Sequence, residues 1–431
     1  MKTLYVNKIK TLDKGTDVEI WGWISTFTKH KELYFVKVED STGSIDVVLQ
    51  LSTLNFKIKR DQSVHIFGKV GLDKNENVVV DADSIELVGD VNVDLSPSAR
   101  SDIDVFAERN ANNVVLNKHL YIRNKKFCAV LKARDLVIEA VRAWFKTNGY
   151  TDVTAPILTP ILLYDKSTGI PVKIKNQDAF LTQCVGFYLE SAVHSLEKVY
   201  NIGPSFRGAE SISKRHLMEY WHIKSETAFC SFDEYFDVVE DLVSFATKYV
   251  KEHGGPELAK DIGTEFCDDG MKAPFPRITY TKAIELLNEN GINLAYGKSL
   301  NDISEKFLSD YFGGPIWITH KPKCIEGFPY REIEKGSDLT MTADLIASHG
   351  LGEILGIAEK ITNIDEIKER LLEKGKSYDE YKWFCDLREY GTVPHCGLGM
   401  GLERLIRWMF KMNHVKDVIP FPRRINKVIY P

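Results

Sequence analysis

Apolar and polar residues alternate in short bursts over residues 18–24, 33–38 and 44–49, with turn signals such as Asp40-Ser41-Thr42-Gly43 between them. A period of two marks strands with one buried face. Five such runs over residues 18–88 predict a small Greek-key barrel of the OB type, an architecture often used for oligonucleotides. A β-module serving only as scaffold or dimer support is the alternative. The polar stretch over 90–117, containing Pro97, loses any period and reads as a hinge. The expected organisation is a barrel domain over 1–95, a hinge over 96–120 and a second domain over 121–431.

In the second domain the period lengthens. Phe127, Val130, Leu131, Leu136, Val137, Ala140, Val141, Trp144 and Phe145 recur at helical spacing over 127–148, and Gly149 is a suitable C-cap. A β-run, Asp152-Val153-Thr154, then stops at Pro156. Further on, a strand over 199–203, helices over 232–253 and 364–374, and an apolar helix over 405–410 complete an α+β pattern.

Composition narrows the setting without naming a task. The chain has 431 residues, is 44% hydrophobic and 27% charged, and carries a net charge of -5, so any nucleic-acid contact needs a local basic patch. The seven cysteines are scattered and never take metal-ligand spacing, which argues against structural zinc and a disulfide framework. There is no signal segment at the N-terminus and no apolar run near the roughly 20 residues that span a bilayer. A cytoplasmic, reducing location with no membrane contact is expected.

Candidate chemistry lies in four contiguous strings: Phe206-Arg207-Gly208-Ala209-Glu210-Ser211-Ile212-Ser213-Lys214-Arg215-His216-Leu217, Asp386-Leu387-Arg388-Glu389-Tyr390-Gly391-Thr392-Val393-Pro394-His395, Gly397-Leu398-Gly399-Met400-Gly401-Leu402-Glu403-Arg404, and Asp417-Val418-Ile419-Pro420-Phe421-Pro422-Arg423. The first and third resemble motifs 2 and 3 of class II aminoacyl-tRNA synthetases, nearest to the asparaginyl side of the asparaginyl/aspartyl branch. The helix, Gly149, strand and Pro156 resemble motif 1. This resemblance covers essentially the whole chain. It implies an OB-type barrel joined to an antiparallel sheet flanked by helices, pairing as a homodimer through motif 1, and use of ATP and Mg2+ to adenylate an amino acid or related carboxylic acid.

In that chemistry a carboxylate attacks the α-phosphorus of ATP, and arginines with Mg2+ neutralise the growing charge. No general base is required, because the attacking acid is already ionised and positioning carries the rate. By resemblance, Arg207 meets the α-phosphate and Arg404 the adenine and γ-phosphate. Arg215, His216 and Leu217 form the signature that grips the β- and γ-phosphates, and Tyr220 stacks on adenine. Glu353 carries Mg2+, with Asp344 as its upstream acidic partner. The expected catalytic set is Arg207, Glu353 and Arg404, leaving His194, His222 and His349 structural or exposed.

The acid-binding positions depart from the pattern. Glu190 is retained, and Arg388 stands in the string that leads into motif 3. No Glu-Gly pair occurs in residues 159–165, however, and Gly186, two residues after Cys184, replaces an expected glutamine for the substrate ammonium. Lys360 replaces an arginine and loses its planar fork. Ala209 replaces a glutamate for the adenine amino group, with Glu210 as a substitute only if the loop shifts by one residue. In the barrel, Ser25 and Asp46 replace an arginine and a glutamine that contact the anticodon, while Phe27, Tyr34 and Phe35 beside Lys29, His30 and Lys31 keep a possible stacking platform for tRNA. These departures predict an activated acid that differs from L-asparagine near its α-nitrogen or side chain. Three outcomes stay open: tRNA charging, amide formation with ammonia or a small amine, and a non-catalytic amino-acid, nucleotide or RNA binder.

Overall fold

The computed structural model describes residues 2–93, 103–162, 166–210, 213–425, 427 and 429. The boundary near residue 95, positions 163–165 after motif 1, and Ser211 and Ile212 of motif 2 lie outside the described residues. Two units emerge, Met1–Cys128 and Ala129–Ile429.

In the first unit, strands β1 (Asp17–His30), β2 (Leu33–Asp40), β3 (Gly43–Gln50), β4 (Ser63–Leu72) and β5 (Val78–Gly89) close into a barrel in the order β1-β2-β3-β5-β4. The 14-residue β1 makes closure possible: Asp17 to Trp23 pairs with β4, and Trp23 to His30 pairs with β2 across a bulge between Ile24 and Thr26. The alternating apolar positions, Val18, Ile20, Val36, Val38, Ile45, Val47, Val64 and Ile66, fill the core. Tyr34 packs against this core, whereas Phe35 points outward with Trp23, Phe27 and Phe67, each 38–44% exposed. Ser25 is buried, and its hydroxyl donates to the Lys37 carbonyl at 3.2 Å.

The second unit is built on eight strands: β6 (Thr151–Asp152), β10 (Lys198–Phe206), β11 (Glu219–Ala228), β12 (Arg277–Thr279), β13 (Ile316–Thr319), β14 (Thr342–Ala347), β15 (Gly352–Glu359) and β16 (His395–Gly401), in the order β12-β13-β14-β15-β16-β11-β10-β6. The expected antiparallel sheet holds from β13 to β10, but both margins are parallel, β12 with β13 and β6 with β10. A short separate sheet of β7 (Leu158–Thr159), β8 (Ile170–Ile174) and β9 (Gln177–Leu181) follows motif 1.

Helices cover this sheet as their periodicity requires. Lys125–Thr147 buries Val130, Ala133, Val137, Ala140 and Val141 and ends at Gly149 with φ +78°. Its Phe145 ring stacks on Tyr200 of β10 at 4.3 Å. Phe232–Glu252 starts with a full capping box in which Ser231 and Glu234 each satisfy the other's backbone N–H.

Candidate active site

Strands β14, β15, β16 and β11 form the floor of a cavity of about 890 Å³. Every second residue of β11 faces it, namely Tyr220, His222 and Lys224, while β16 contributes Gly397, Gly399 and Gly401 opposite them. Two of these glycines answer to space: a Cβ at Gly397 would lie 2.3 Å from Glu226 Oε1, and one at Gly399 would lie 3.0 Å from Lys224 Nζ. On β15, Gly356 clears the Asp344 carboxylate, whose Oδ1 would lie 2.9 Å from an added Cβ. The bare floor leaves room for a flat ligand between charged side chains.

One end of the cavity gathers arginines. Arg207, after β10, and Arg215, His216 and Leu217, before β11, line it with Arg404 from the first turn of helix Leu402–Met409. Arg404 Nη1 donates to the Glu353 carbonyl at 3.0 Å and meets Glu353 Oε1 at 3.1 Å. Arg215 pairs with Asp302 Oδ1 at 2.6 Å and with Glu305, both on helix Asp302–Tyr311, and Glu305 accepts the Glu353 N–H at 3.2 Å. Gly352 permits this meeting, with φ +79° and no space for a Cβ, which would lie 2.2 Å from Arg215 Nη1.

These surroundings set the protonation states. Burial, reinforced by Glu353, pushes the Glu305 carboxyl up to about 7 despite Arg215. Burial together with Arg404, Arg207 and Arg215 brings His216 down to about 4, so its ring is neutral at pH 7. Burial also raises Asp344, to about 7, against the pull of Lys321 Nζ at 2.5 Å. Glu353 is held below the ordinary carboxylate range, because Arg404, Lys321 and Arg215 outweigh its burial. Leu217 lines the cavity but is chiefly an anchor, packed with Val415 and Ile419. The Tyr220 phenol is pushed up to about 12 by burial and lies 3.5 Å from the Gln183 carbonyl.

The other end is a closed ionic network. Lys360 Nζ reaches Glu190 Oε1 at 3.2 Å and Glu226 Oε1 at 3.1 Å, and Arg388 Nη2 reaches Glu190 Oε2 at 2.6 Å. His395 Nε2 stands 3.4 Å from the same oxygen. Burial opposes ionisation of Glu190, yet Lys360 and Arg388 keep its carboxyl well below the usual range. Among the described residues the two Glu226 oxygens have no hydrogen-bond partner, leaving the Lys360 ion pair to hold this buried carboxylate.

Of the residues expected from sequence, Arg207, Arg215, His216, Leu217, Tyr220, Asp344, Glu353, Lys360 and Arg404 share the cavity wall. Cys184, Gly186, Glu190 and Arg388 stand behind it. Cys184 is buried and its sulfur accepts the Gly186 N–H at 3.3 Å. Beside Ala209, Glu210 lines a separate side cavity of about 180 Å³ instead of the main one. His222, expected to be structural or exposed, lines the main cavity, its ring kept neutral by burial, Lys224 and Arg404. Lys224, Glu226, Glu305 and Lys321 were not anticipated. The alternation of polar Tyr220, His222, Lys224 and Glu226 on one strand is the signal that would have found two of them.

Residues 111–425 match the family described as tRNA synthetases class II (D, K and N), and residues 18–88 match the OB-fold nucleic acid binding domain. The chain belongs to the class II tRNA synthetases. As a member of that family it is an ATP-dependent ligase of the adenylate-forming type. The asparagine--tRNA ligase of Thermococcus gammatolerans is 32% identical over 440 residues, covering 99% of each chain. The asparaginyl-tRNA synthetase of Pyrococcus horikoshii, solved with asparaginyl-adenylate, superposes with a TM-score of 0.91 at 30% identity over the full length of both chains. That of Entamoeba histolytica, also with asparaginyl-adenylate, gives 0.85 at 28% identity over 97% of each. Among the described residues, no helix of this synthetase is long and apolar enough to cross a membrane.

Proposed function

We propose that this synthetase activates a small carboxylic acid with ATP in the cavity over β11 and β16, and passes the acyl group to an acceptor. The carrying observation is that Arg207, Arg215, Arg404 and Glu353, far apart in sequence, line one cavity over a glycine floor. Its volume of about 890 Å³ suits a nucleotide with a small acid beside it. In this reading Arg207 faces the α-phosphate, where negative charge grows as the carboxylate attacks. Arg215 and Arg404, now engaged by acids, swing toward the leaving pyrophosphate, and neutral His216 donates a hydrogen bond without adding charge. Tyr220 presents a ring to the adenine.

Mg2+, when bound, would neutralise phosphate oxygens. Glu353 would hold it, with Asp344 Oδ1, which projects over Gly356 while Oδ2 engages Lys321, as a second hard oxygen. At the far end, Lys360, Glu190 and Arg388 form the back wall of the acid subsite. By likeness to the relatives, the acceptor is tRNA, met by the outward aromatics of the barrel, and the enzyme acts as a homodimer. The subsite is altered from the asparaginyl pattern, with Lys360 tied to two carboxylates rather than free to fork around an amide.

The test is ATP-pyrophosphate exchange without tRNA, across asparagine, aspartate, their deaminated analogues and no acid. Acid-dependent exchange that vanishes in Arg404→Ala is the expected result. No exchange with any acid, in folded protein that binds ATP, would falsify the adenylation reading.

A further inference from the structure

Four of the cationic side chains lining the cavity already have a carboxylate, and two more are held by neutral oxygens, Lys374 by the Lys323 and Cys324 carbonyls at 2.9 and 3.0 Å and Lys376 by the Leu162 carbonyl at 3.4 Å and the Tyr381 hydroxyl at 3.0 Å. Lys360 has Glu190 and Glu226, Lys321 has Glu326 and Asp344, Arg215 has Asp302 and Glu305, and Arg404 has Glu353. Arg207 and Lys224 have none within 4 Å among the described residues. Arg207 is exposed at the arginine-rich end, where a nucleotide phosphate answers its charge. Lys224 is different: it is only 7% exposed, lines the cavity from the centre of β11, and among the described residues makes no hydrogen bond, ion pair or ring contact through its side chain. A buried ammonium without a counter-charge is costly, so its persistence points to a partner that arrives with the ligand.

A second feature favours an anion at the same place. Helix Gly186–Leu196 begins beside Lys224, whose Cε would lie 3.7 Å from a Cβ on Gly186; its N-cap residue Val185 offers no side-chain acceptor, and the first N–H meets only the weakly accepting Cys184 sulfur. An N-terminus so weakly capped keeps its partial positive charge. The remaining groups around the spot leave that sign in place. His222 is held neutral, Glu226 is engaged by Lys360, and Glu190 is shared between Lys360 and Arg388.

Resting on the adenylation reading, we infer that Lys224 and the start of helix Gly186–Leu196 bind a second carboxylate of the activated acid, so that the preferred substrate is a short dicarboxylic acid. One carboxylate oxygen bonds to the α-phosphorus of ATP beside Arg207 as the bond from that phosphorus to the bridging oxygen breaks and pyrophosphate leaves, and the other carboxylate is held by Lys224 as a specificity contact. A cationic subsite gains a full counter-charge from a second carboxylate but only a neutral dipole from the side-chain amide of asparagine, which penalises asparagine relative to its dicarboxylic counterparts.

Calorimetric binding and pyrophosphate exchange should be run with malonate, succinate, aspartate, asparagine and propionate, each with and without a non-hydrolysable ATP analogue. A dicarboxylate is expected to bind at least tenfold more tightly than asparagine or propionate. Lys224→Met should weaken the dicarboxylate by roughly 30-fold or more, the loss typical of one buried charged partner, while changing the Kd for the ATP analogue less than twofold. Lys224→Arg should restore most of the binding. Because the methionine replaces an unpaired buried charge, its melting temperature should be equal or higher; a clear fall would reveal a structural partner for Lys224 and overturn the inference. Exchange with asparagine regardless of residue 224 would sink the dicarboxylate subsite but keep the adenylation reading. Dicarboxylate binding without any exchange would do the reverse.

Discussion

The two ends of the cavity handle charge in opposite ways. At the arginine-rich end the cations are held by acids from separate elements, Arg215 by helix Asp302–Tyr311 and Arg404 by the start of β15, and they face open space. At the acid end, Lys360, Glu190, Glu226 and Arg388 pair with one another, while Lys224 lines the cavity with no carboxylate within 4 Å among the described residues. A site that handles the same polyphosphate in every turnover keeps loosely tethered charges that can be handed over. A site that selects one acid hides most of its charge and exposes little, so that a wrong partner meets an uncompensated group.

The contrast can be tested, starting where the loss should be greatest. Lys360→Met leaves Glu190 and Glu226 facing each other without their shared cation. It should cost about 3–5 kcal/mol of stability by urea unfolding; a loss below 1 kcal/mol would mean that the network is looser than its geometry. Arg404→Ala acts at the other end and should lower the exchange rate about 10²–10³-fold with little change in acid binding. A parallel drop in acid affinity would erase the division between the ends.

Gly352→Ala should destabilise by about 1–3 kcal/mol through its left-handed backbone. It should also weaken ATP binding, because the new Cβ displaces Arg215 from Glu305. The mildest test uses His216. Its folded pKa lies below its unfolded value, so its contribution to stability is fully present above pH 6.5 and is lost as pH falls toward about 4. His216→Gln should flatten the acid side of the stability profile measured by thermal melts; an unchanged profile would show that other groups govern it.

The arginine-rich end was legible in the sequence because Arg207, Arg215, His216 and Arg404 lie in two contiguous strings that resemble motifs 2 and 3 of the family. The barrel was legible because β1, β2 and β3 each carry a clean period of two. Glu305 was not legible: as an acid in the first turn of an amphipathic helix it looks like a routine dipole complement, and only the fold brings it to Arg215, 90 positions away. Lys224 and Glu226 escaped for another reason. In a strand read alone, a polar alternation signals a solvent face, and only pairing with Gly397 and Gly399 turns that face into the floor of a cavity. The parallel margins of the sheet were invisible too, since β6 and β12 are too short to show a period.

The pairing of β11 with β16 also acts as a ruler. Successive same-face positions on a strand are spaced about 6.8 Å apart, so His222 and Lys224 in the cavity and Glu226 buried beyond them stand as three stations whose opposite rail, Gly401, Gly399 and Gly397, is blank. At Gly397 the blank rail cannot accept a side chain without evicting Glu226, and at Gly399 one would crowd Lys224 and His222. Diversification is therefore confined to the lettered rail, where exchanging one station rewrites one segment of the cargo and leaves the reading of the next untouched.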